Sequence, residues 1–276
     1  MEGLVCVFSL KNPSHPEYQC WTRSAVTSVD IHPQHPHMLC VGLKDGNVAV
    51  YNLQKDAKSP SHQSSAEQGK HGDLVWQVKW AQDDLDNYLN FYSISGDGTV
   101  INWTLVKCLM RRCEKLKIAF QVELENIPPF MLTDGLRGSI RIGNDNKRSC
   151  NLFLDGGTAL AFKPDNETEY LIGTEEGMIH LCSTEYASQY LRSYQAHHAP
   201  VNSIQWSTFL PDVFISCAAE FVVKIWSKTY GEPLLTFDLS VNVGDVSWSP
   251  YSSTVWAAVT QVGAKYYKEF DGAWVE

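Results

Sequence analysis

Apolar and polar residues alternate along most of this chain in short runs, which is the two-residue period of a β-strand. Each alternating run is followed by a more continuous apolar run and then by a tight turn. Three of these turns read Asp45-Gly46, Asp97-Gly98 and Glu176-Gly177. Asp-Gly between strands favours a type I′ hairpin, which needs positive φ. A helical period is seen only weakly, around 107–121, where a strand fits equally well. The pattern predicts an all-β protein.

This strand pattern recurs five times. The copies span 26–53, 75–105, 158–183, 201–227 and 243–270. If Ile31, Trp80, Phe162, Trp206 and Trp248 are equivalent, the steps are 49, 82, 44 and 42 residues. A period of about 40–45 residues with several short strands is typical of β-propeller blades, which bury their faces only against neighbouring blades. We therefore expect one propeller domain over 1–276, with about five recognisable blades and a half blade.

The repeats also predict where the blades begin and end. The expected segments are a partial blade at 1–22 and blades at 23–70, 71–154 (with a long insertion), 155–195, 196–240 and 241–276, with truncation of the last left open. Residues 3–10 align with 46–53, the turn glycine and third strand of a blade. We therefore expect an incomplete ring relative to a seven-bladed parent, as in a fragment, a splice form or a truncated gene model.

Two stretches interrupt the period. Residues 54–72 are polar and rich in serine, so they predict an exposed loop between blades. Residues 107–157 occupy the 82-residue step. An outer strand followed by a long insertion is favoured there, and a degenerate extra blade is the alternative.

Charge and cysteine usage narrow the class of protein. The formal net charge is −9, whereas nucleic-acid binders carry a basic stripe, so we expect no nucleic-acid partner. No apolar run is long enough to span a membrane, so no membrane partner is expected. The eight cysteines are scattered singly, without a CxxC pair or disulfide-framework spacing. These features predict a soluble intracellular protein.

Candidate chemistry is sparse. The chain contains no GxxxxGK[ST], GxSxG or HExxH motif, so we expect no catalytic and no cofactor-binding residue. His32, His35 and His37 alternate with prolines without a cysteine or carboxylate at ligand spacing. A rigid turn is the favoured interpretation of these histidines, and no metal is expected.

Two repeats carry a polar set with fixed spacing. The sets are His71, Ser93, Asp97 and Trp103 in one blade, and His197, Ser216, Glu220 and Trp226 in another. They resemble the GH…S…D…W pattern of WD40 repeats. The resemblance implies that the acid orients the histidine and that the serine links the ring to the indole N–H, which is a structural hydrogen-bond network rather than a catalytic site. The second set is expected to be looser, because Glu220 is one methylene longer than Asp97.

Several strings narrow the resemblance further. They are SLKNPSHPEY (9–18), KHGDLVWQVKW (70–80), LIGTEEGMIHLCS (171–183) and VGDVSWSPYSSTVWAAVT (243–260). Together they resemble the WD40 propeller of dynein intermediate chains, most of all the axonemal outer-arm type, over residues 1–125 and 151–262.

The resemblance implies a non-catalytic scaffold that binds the tail of a dynein heavy chain and supports dynein arm assembly and ciliary motility. Its implied partners are other dynein intermediate and light chains and, indirectly, the microtubule axoneme. Its implied location is the cytoplasm and cytoskeleton, in the axoneme of a cilium or flagellum. A WD40 module that binds peptides outside dynein is the main alternative, and a propeller enzyme is the least favoured.

Overall fold

The computed structural model describes residues 2–55, 57–66, 69–83, 88–108, 113–123, 155–166, 168–185, 190–270 and 273–275. The secondary structure of this part consists of antiparallel β-strands joined by turns. None of its residues belong to a helix that could cross a bilayer. The chain divides into two compact units, Met1–Glu123 and Leu124–Glu276, so the expectation of a single domain stays a prediction.

The first unit contains one two-stranded and two four-stranded sheets. The two-stranded sheet pairs β1 (Gly3–Val7) with β2 (Tyr18–Thr22). The next sheet has the order β3 (Val26–Ile31), β4 (Met38–Leu43), β5 (Val48–Asn52) and β6 (His62–Gln63). The third has the order β7 (Val75–Trp80), β8 (Leu89–Ser95), β9 (Thr99–Cys108) and β10 (Cys113–Glu123).

The second unit contains three four-stranded sheets. The first comprises β11 (Gly157–Phe162), β12 (Glu169–Thr174), β13 (Met178–Ser183) and β14 (Arg192–Gln195). The second comprises β15 (Val201–Trp206), β16 (Val213–Ala218), β17 (Val222–Ser227) and β18 (Leu235–Asp238). The third comprises β19 (Val243–Trp248), β20 (Val255–Thr260), β21 (Gly263–Phe270) and β22 (Ala273–Val275). In all five four-stranded sheets the strands pair in chain order, and we number these sheets one to five along the chain.

A β-bulge in the first strand of every numbered sheet explains its spacing of apolar residues. The register shifts just after the first paired residue, namely after Val26, Val75, Gly157, Val201 and Val243. The extra residue brings the first, fourth and sixth positions to one face, instead of the strict alternation of a regular strand. Ile31, Trp80, Phe162, Trp206 and Trp248 all occupy the sixth position, so the equivalence used to measure the repeat is confirmed.

The glycine turns differ from the expected type. Gly46, Gly98 and Gly177 have φ of 82°, 76° and 85°, but the residues before them do not have positive φ. The Gly46 N–H donates to the carbonyl of Leu43, and the Leu43 N–H donates to the carbonyl of Asn47. The loop is therefore a type I turn closed by a left-handed glycine, and the type I′ prediction was wrong.

The two interrupted stretches also take definite form where they are described. The 54–72 segment is not only a loop, since His62 and Gln63 form β6 against Ala49 and Val50. The buried Ser64 hydroxyl accepts the Val48 N–H at 2.9 Å. β10 is an outer strand, as favoured for the 107–157 stretch, of which 109–112 and 124–154 lie outside the described residues.

Neighbouring sheets within each unit are joined by close packing and by repeated hydrogen bonds. The Thr27 hydroxyl donates to the carbonyl of Val75, and Thr158 makes the equivalent bond to Val201 at 2.6 Å. Asn202 Nδ2 donates to the carbonyl of Val243 at 2.7 Å. A Cβ at Gly42 would lie 2.8 Å from Val75 Cγ1, so that valine sits directly on the glycine.

Replacing Gly42 should therefore disturb the junction between sheets one and two. We expect Gly42→Ala to lower the free energy of unfolding by about 1–3 kcal/mol, the usual cost of overpacking. Gly231→Ala is the matched control, because no atom lies within 4 Å of its Cβ position. Denaturant unfolding measures both. Equal stability of the two variants would contradict the close packing of Val75 on Gly42. In a Val75→Ala background, Gly42→Ala should lower the free energy of unfolding by less.

Candidate functional site: buried hydrogen-bond networks and an exposed apolar surface

Ser93 is the centre of the network in sheet two. Its Oγ lies 2.6 Å from His71 Nε2 and accepts the Trp103 indole N–H at 2.7 Å. His71 Nδ1 lies 2.9 Å from Thr99 Oγ1, and the Thr99 hydroxyl donates to Asp97 Oδ1 at 2.6 Å. An indole can only donate, so a neutral His71 with the proton on Nδ1 satisfies every group. His71, Ser93 and Trp103 are all buried.

The Asp97 carboxylate lies closer to backbone N–H groups beside its own turn than to the His71 ring. Its carboxylate accepts the Gly72 N–H at 2.6 Å and the Thr99 N–H at 3.0 Å, while His71 Nδ1 is 3.5 Å away. Partial burial would raise the pKa of Asp97, but the nearby His71 ring and the hydrogen bonds from Thr99 and Gly72 hold it well below its usual range. Thr99 is the member that sequence reasoning missed, and its signal is its position directly after Asp97-Gly98.

The network in sheet four is tighter at the acid, not looser. His197 Nε2 lies 2.8 Å from Ser216 Oγ, which accepts the Trp226 N–H at 3.0 Å. His197 Nδ1 lies 2.6 Å from Glu220 Oε1. The prediction of a looser set was wrong at the acid, because Val222 occupies the position of Thr99 and the longer glutamate reaches the histidine directly. The two bonds to the serine are slightly longer than in sheet two. Burial outweighs the Glu220 carboxylate and leaves the pKa of His197 below its ordinary value.

The other numbered sheets have an apolar residue at the serine position and tyrosine or cysteine at the tryptophan position. By strand register these pairs are Val41 and Tyr51, Ile172 and Cys182, and Ala258 and Tyr267. All six are buried. Each sheet therefore either completes the polar set or replaces the serine–tryptophan pair, which is what the cost of an unpaired buried polar group demands. These side chains are core groups and offer no accessible nucleophile or base.

The histidines of 32–37 form a capped turn. His32 is buried, and its Nδ1 accepts the N–H groups of Gln34 at 3.1 Å and His35 at 3.0 Å. Its Nε2 lies 3.3 Å from Asp83, and burial nevertheless lowers its pKa. Among the described residues, no group of three His, Cys, Asp or Glu side chains could hold a metal ion.

Large apolar side chains are exposed on the turns at one end of the second unit. Phe209 and Leu210 lie between β15 and β16, Tyr230 lies between β17 and β18, and Tyr251 lies between β19 and β20. We call these four residues the apolar turn surface. Successive connections in a meander alternate between its ends, so both turns of sheet four lie at one end, where Lys228 N–H donates to the Asp212 carbonyl at 2.7 Å.

The third turn of this surface belongs to the adjacent sheet. The Trp248 N–H donates to Gln205 Oε1 at 2.6 Å, which aligns the ends of β15 and β19. The turn that carries Tyr251 therefore begins at the same end as the turn that carries Phe209.

Capping hydrogen bonds hold these turns rigid. Ser207 Oγ accepts the N–H groups of Phe209 at 3.3 Å and Leu210 at 3.2 Å, and Ser249 Oγ accepts that of Tyr251 at 3.2 Å. Phe209 and Tyr251 are the third residues after the first strands of sheets four and five. The residues at the same position in sheets one and three are Gln34 and Asp165. Sheets four and five carry Phe209, 47 % exposed, and Tyr251, 92 % exposed. The scaffold of the turn is thus repeated, and its exposed residue changes from polar to aromatic.

Charges beside this surface are already paired with one another. Lys163 Nζ lies 2.9 Å from Asp212 Oδ1, and Lys228 Nζ lies 2.7 Å from Glu169. The hydrogen bond from Lys163 lowers the pKa of Asp212. These pairs join sheets three and four beside the apolar turn surface.

Comparison with known proteins shows what the chain is similar to. The WD40 profile, described as WD domain, G-beta repeat, matches residues 188–227. The ciliary dynein intermediate chain 2 of Heliocidaris crassispina is 45 % identical over 262 residues, covering 95 % of this chain and 35 % of that protein. The chain is therefore a WD40-repeat homologue of the axonemal dynein intermediate chains.

Other dynein intermediate chains are also similar to this chain over most of its length. Dynein axonemal intermediate chain 1 of Bos taurus is 42 % identical over 238 residues, covering 86 % of this chain and 31 % of the relative. The 78 kDa intermediate chain of the flagellar outer arm dynein of Chlamydomonas reinhardtii is 38 % identical over 271 residues, covering 95 % and 36 %. The chain thus spans about a third of the length of the curated relatives it matches.

In this intermediate-chain homologue, the WD40 match coincides with the sheet that carries the complete fourth-repeat network. His197, Ser216, Glu220 and Trp226 all lie within 188–227. The network of sheet two, His71 to Trp103, lies outside this match although it contains the same residue types.

Removing one member of the network should lower the free energy of unfolding at least as much as replacing three of its members together. Ser93→Ala leaves His71 and Trp103 without their shared partner, so we expect it to lower the free energy of unfolding by about 2–4 kcal/mol. The triple variant His71→Leu, Ser93→Ala and Trp103→Tyr installs the side chains found at the same positions of sheet five, and should cost no more than the single change. Denaturant unfolding measures both. A triple variant destabilised by the sum of its single changes would contradict this account.

Proposed function

We propose that this protein is a non-catalytic scaffold subunit of an axonemal outer-arm dynein. It binds the heavy-chain tail and supports arm assembly and ciliary motility. The observation that carries this proposal is 45 % identity to a ciliary dynein intermediate chain over 95 % of the chain. Other intermediate and light chains of the complex are its further partners, and it reaches the microtubule axoneme indirectly. Its location is the cytoplasm and the cytoskeleton of the cilium or flagellum.

The buried networks support a scaffold rather than an enzyme. The serine, histidine and acid that resemble a catalytic set are hydrogen-bonded to one another inside the sheets. His71, Ser93, His197 and Ser216 are buried, so a substrate has no route to them. Their contribution is to rigidity, which is what a subunit that positions a motor requires.

The apolar turn surface is the proposed contact for the heavy-chain tail. Interface energy is concentrated in a few large aromatic side chains held in place before binding. Phe209 and Tyr251 meet that description, because capping hydrogen bonds fix their turns while their side chains are exposed. The acidic net charge of −9 also favours a protein partner over a nucleic acid.

A binding measurement with a recombinant heavy-chain tail tests both the scaffold function and the assignment of the apolar turn surface as its contact. We expect Phe209→Ala with Tyr251→Ala to weaken tail binding by about tenfold or more, since hot-spot truncations cost at least ~1.4 kcal/mol. The control is Phe221→Ala with Val262→Ala, two exposed apolar residues on turns at the opposite ends of the strands. It should bind like the unchanged chain.

The outcomes separate the function from its site. Unchanged binding by the Phe209/Tyr251 variant overturns the assignment of the surface but leaves the scaffold function. Failure of the unchanged chain to bind any heavy-chain tail overturns the function itself and favours a WD40 peptide-binding module outside dynein. Circular dichroism spectra establish that each variant is folded.

A further inference from the structure

Exposed carboxylates lie on the turns around the apolar turn surface. Asp165 lies between β11 and β12, Glu185 between β13 and β14, and Glu232 between β17 and β18. All three residues are exposed, and none of their carboxylates forms a hydrogen bond or an ion pair with another described residue. We call these three residues the acidic rim.

One member of the acidic rim lies on the turn next to that of Phe209. The Trp206 indole N–H donates to the carbonyl of Ala161 at 3.2 Å, which aligns the ends of β15 and β11. The turn of Asp165 follows β11, and the turn of Phe209 follows β15. Asp165 is therefore at the same end of sheet three as Phe209 is of sheet four.

The other two members lie on the outer turns at this end. Glu232 follows Tyr230 by two residues in the same turn. Glu185 lies in the equivalent turn of sheet three, between its third and fourth strands. Arg192 Nη1 donates to the carbonyl of Lys228 at 2.7 Å, which brings the ends of these two outer turns together.

Basic side chains at this end are bound within the protein. Lys163 is buried, and its Nζ lies 2.9 Å from Asp212 Oδ1 and 3.7 Å from Glu169 Oε2. Lys228 Nζ donates to both carboxylate oxygens of Glu169 at 2.7 Å. The acidic rim has no such counter-charges, so a partner that approaches this end of the second unit meets negative charge around apolar side chains.

We propose that the segment of the heavy-chain tail at this site carries apolar side chains flanked by lysine or arginine. The site is the one assigned to the tail under the proposed function, on which this inference rests. The apolar side chains of the segment pack on Phe209 and Tyr251, and its cations lie opposite the acidic rim. This is the ordinary arrangement of a protein interface, with an apolar centre and a polar rim. The rim stays in contact with water, so its charges lose little solvation on binding.

The apolar centre and the acidic rim act on different rates. Aromatic side chains at the centre of an interface mainly slow dissociation. Rim charges of opposite sign mainly speed association, because they attract the partner before contact. That attraction is screened by salt, since the Debye length falls from about 10 Å at 0.1 M to about 3 Å at 1 M ionic strength. The acidic rim therefore predicts an association rate that depends on salt.

Binding kinetics of the recombinant heavy-chain tail at two salt concentrations test the proposal. Asp165→Lys with Glu232→Lys should slow association by about fivefold or more at about 50 mM salt, because attraction becomes repulsion. At about 500 mM salt the difference from the unchanged chain should fall below about twofold. The dissociation rate should change less than the association rate at low salt.

Glu175→Lys with Glu176→Lys is the matched control. It changes the net charge by the same amount, and both glutamates are exposed. They lie on the turn between β12 and β13, at the opposite end of sheet three. This variant should associate within about twofold of the unchanged chain at both salt concentrations, because its charges are far from the proposed contact.

The possible results separate this inference from the proposed function. Equal association rates of the rim variant and the control overturn the basic character of the tail segment and leave the scaffold function. Faster association of the rim variant also overturns it, because the partner then carries negative charge. An unchanged chain that binds no heavy-chain tail at either salt concentration overturns the proposed function and this inference with it. Glu185→Lys with Glu232→Lys replaces the rim variant if circular dichroism shows that the latter is not folded.

Discussion

Burial of each sheet by the next is the interaction on which the rest of this structure depends. An isolated sheet of this kind has two apolar faces, and water would contact both. β12 and β16 are buried on both sides from their second residue onward because inner strands of the following sheets pack against them. The bulge at the start of each inner strand makes this possible, since it aligns the first, fourth and sixth side chains on one face.

The same constraint bears on the histidine, serine and tryptophan sets of sheets two and four. Water does not reach a buried histidine or indole nitrogen, so leaving one without a partner costs free energy. Trp248 Nε1 and His180 Nε2 are buried without a hydrogen-bond partner, whereas the nitrogens of His71, Trp103, His197 and Trp226 all have one. Sheets two and four provide a serine for both groups, and sheets one, three and five put apolar side chains at its position. His71 and His197 therefore stabilise the fold.

The repeated elements were predictable from the sequence because the residues that define the repeat are the ones that form the core. Trp80, Trp206 and Trp248 occupy the positions expected from their spacing. Details that depend on distances between side chains or on short strand pairings were not predictable from the sequence pattern. The role of Thr99 follows from a distance that is too long between His71 and Asp97, and β6 is set by a two-residue pairing within a polar segment.

The surface was the least predictable part. Phe209 and Tyr251 look like ordinary apolar residues of a repeat, and only their exposure on capped turns distinguishes them. Likewise, Val29 and Val259 belong to patterns that are buried elsewhere in the chain. Alternation alone does not reveal which copy of a repeated face is left uncovered, because the covering residues belong to another sheet.

Amide hydrogen exchange of the Val243→Ala variant tests most directly whether each sheet is stabilised by its neighbour. Val243 belongs to β19 but packs with Ile215, Cys217 and Val223 of the preceding sheet. The account predicts that protection falls in β16 and β17 as well as in β19, while β4 in the other unit is unchanged. Loss of protection confined to β19 and its own sheet would contradict it.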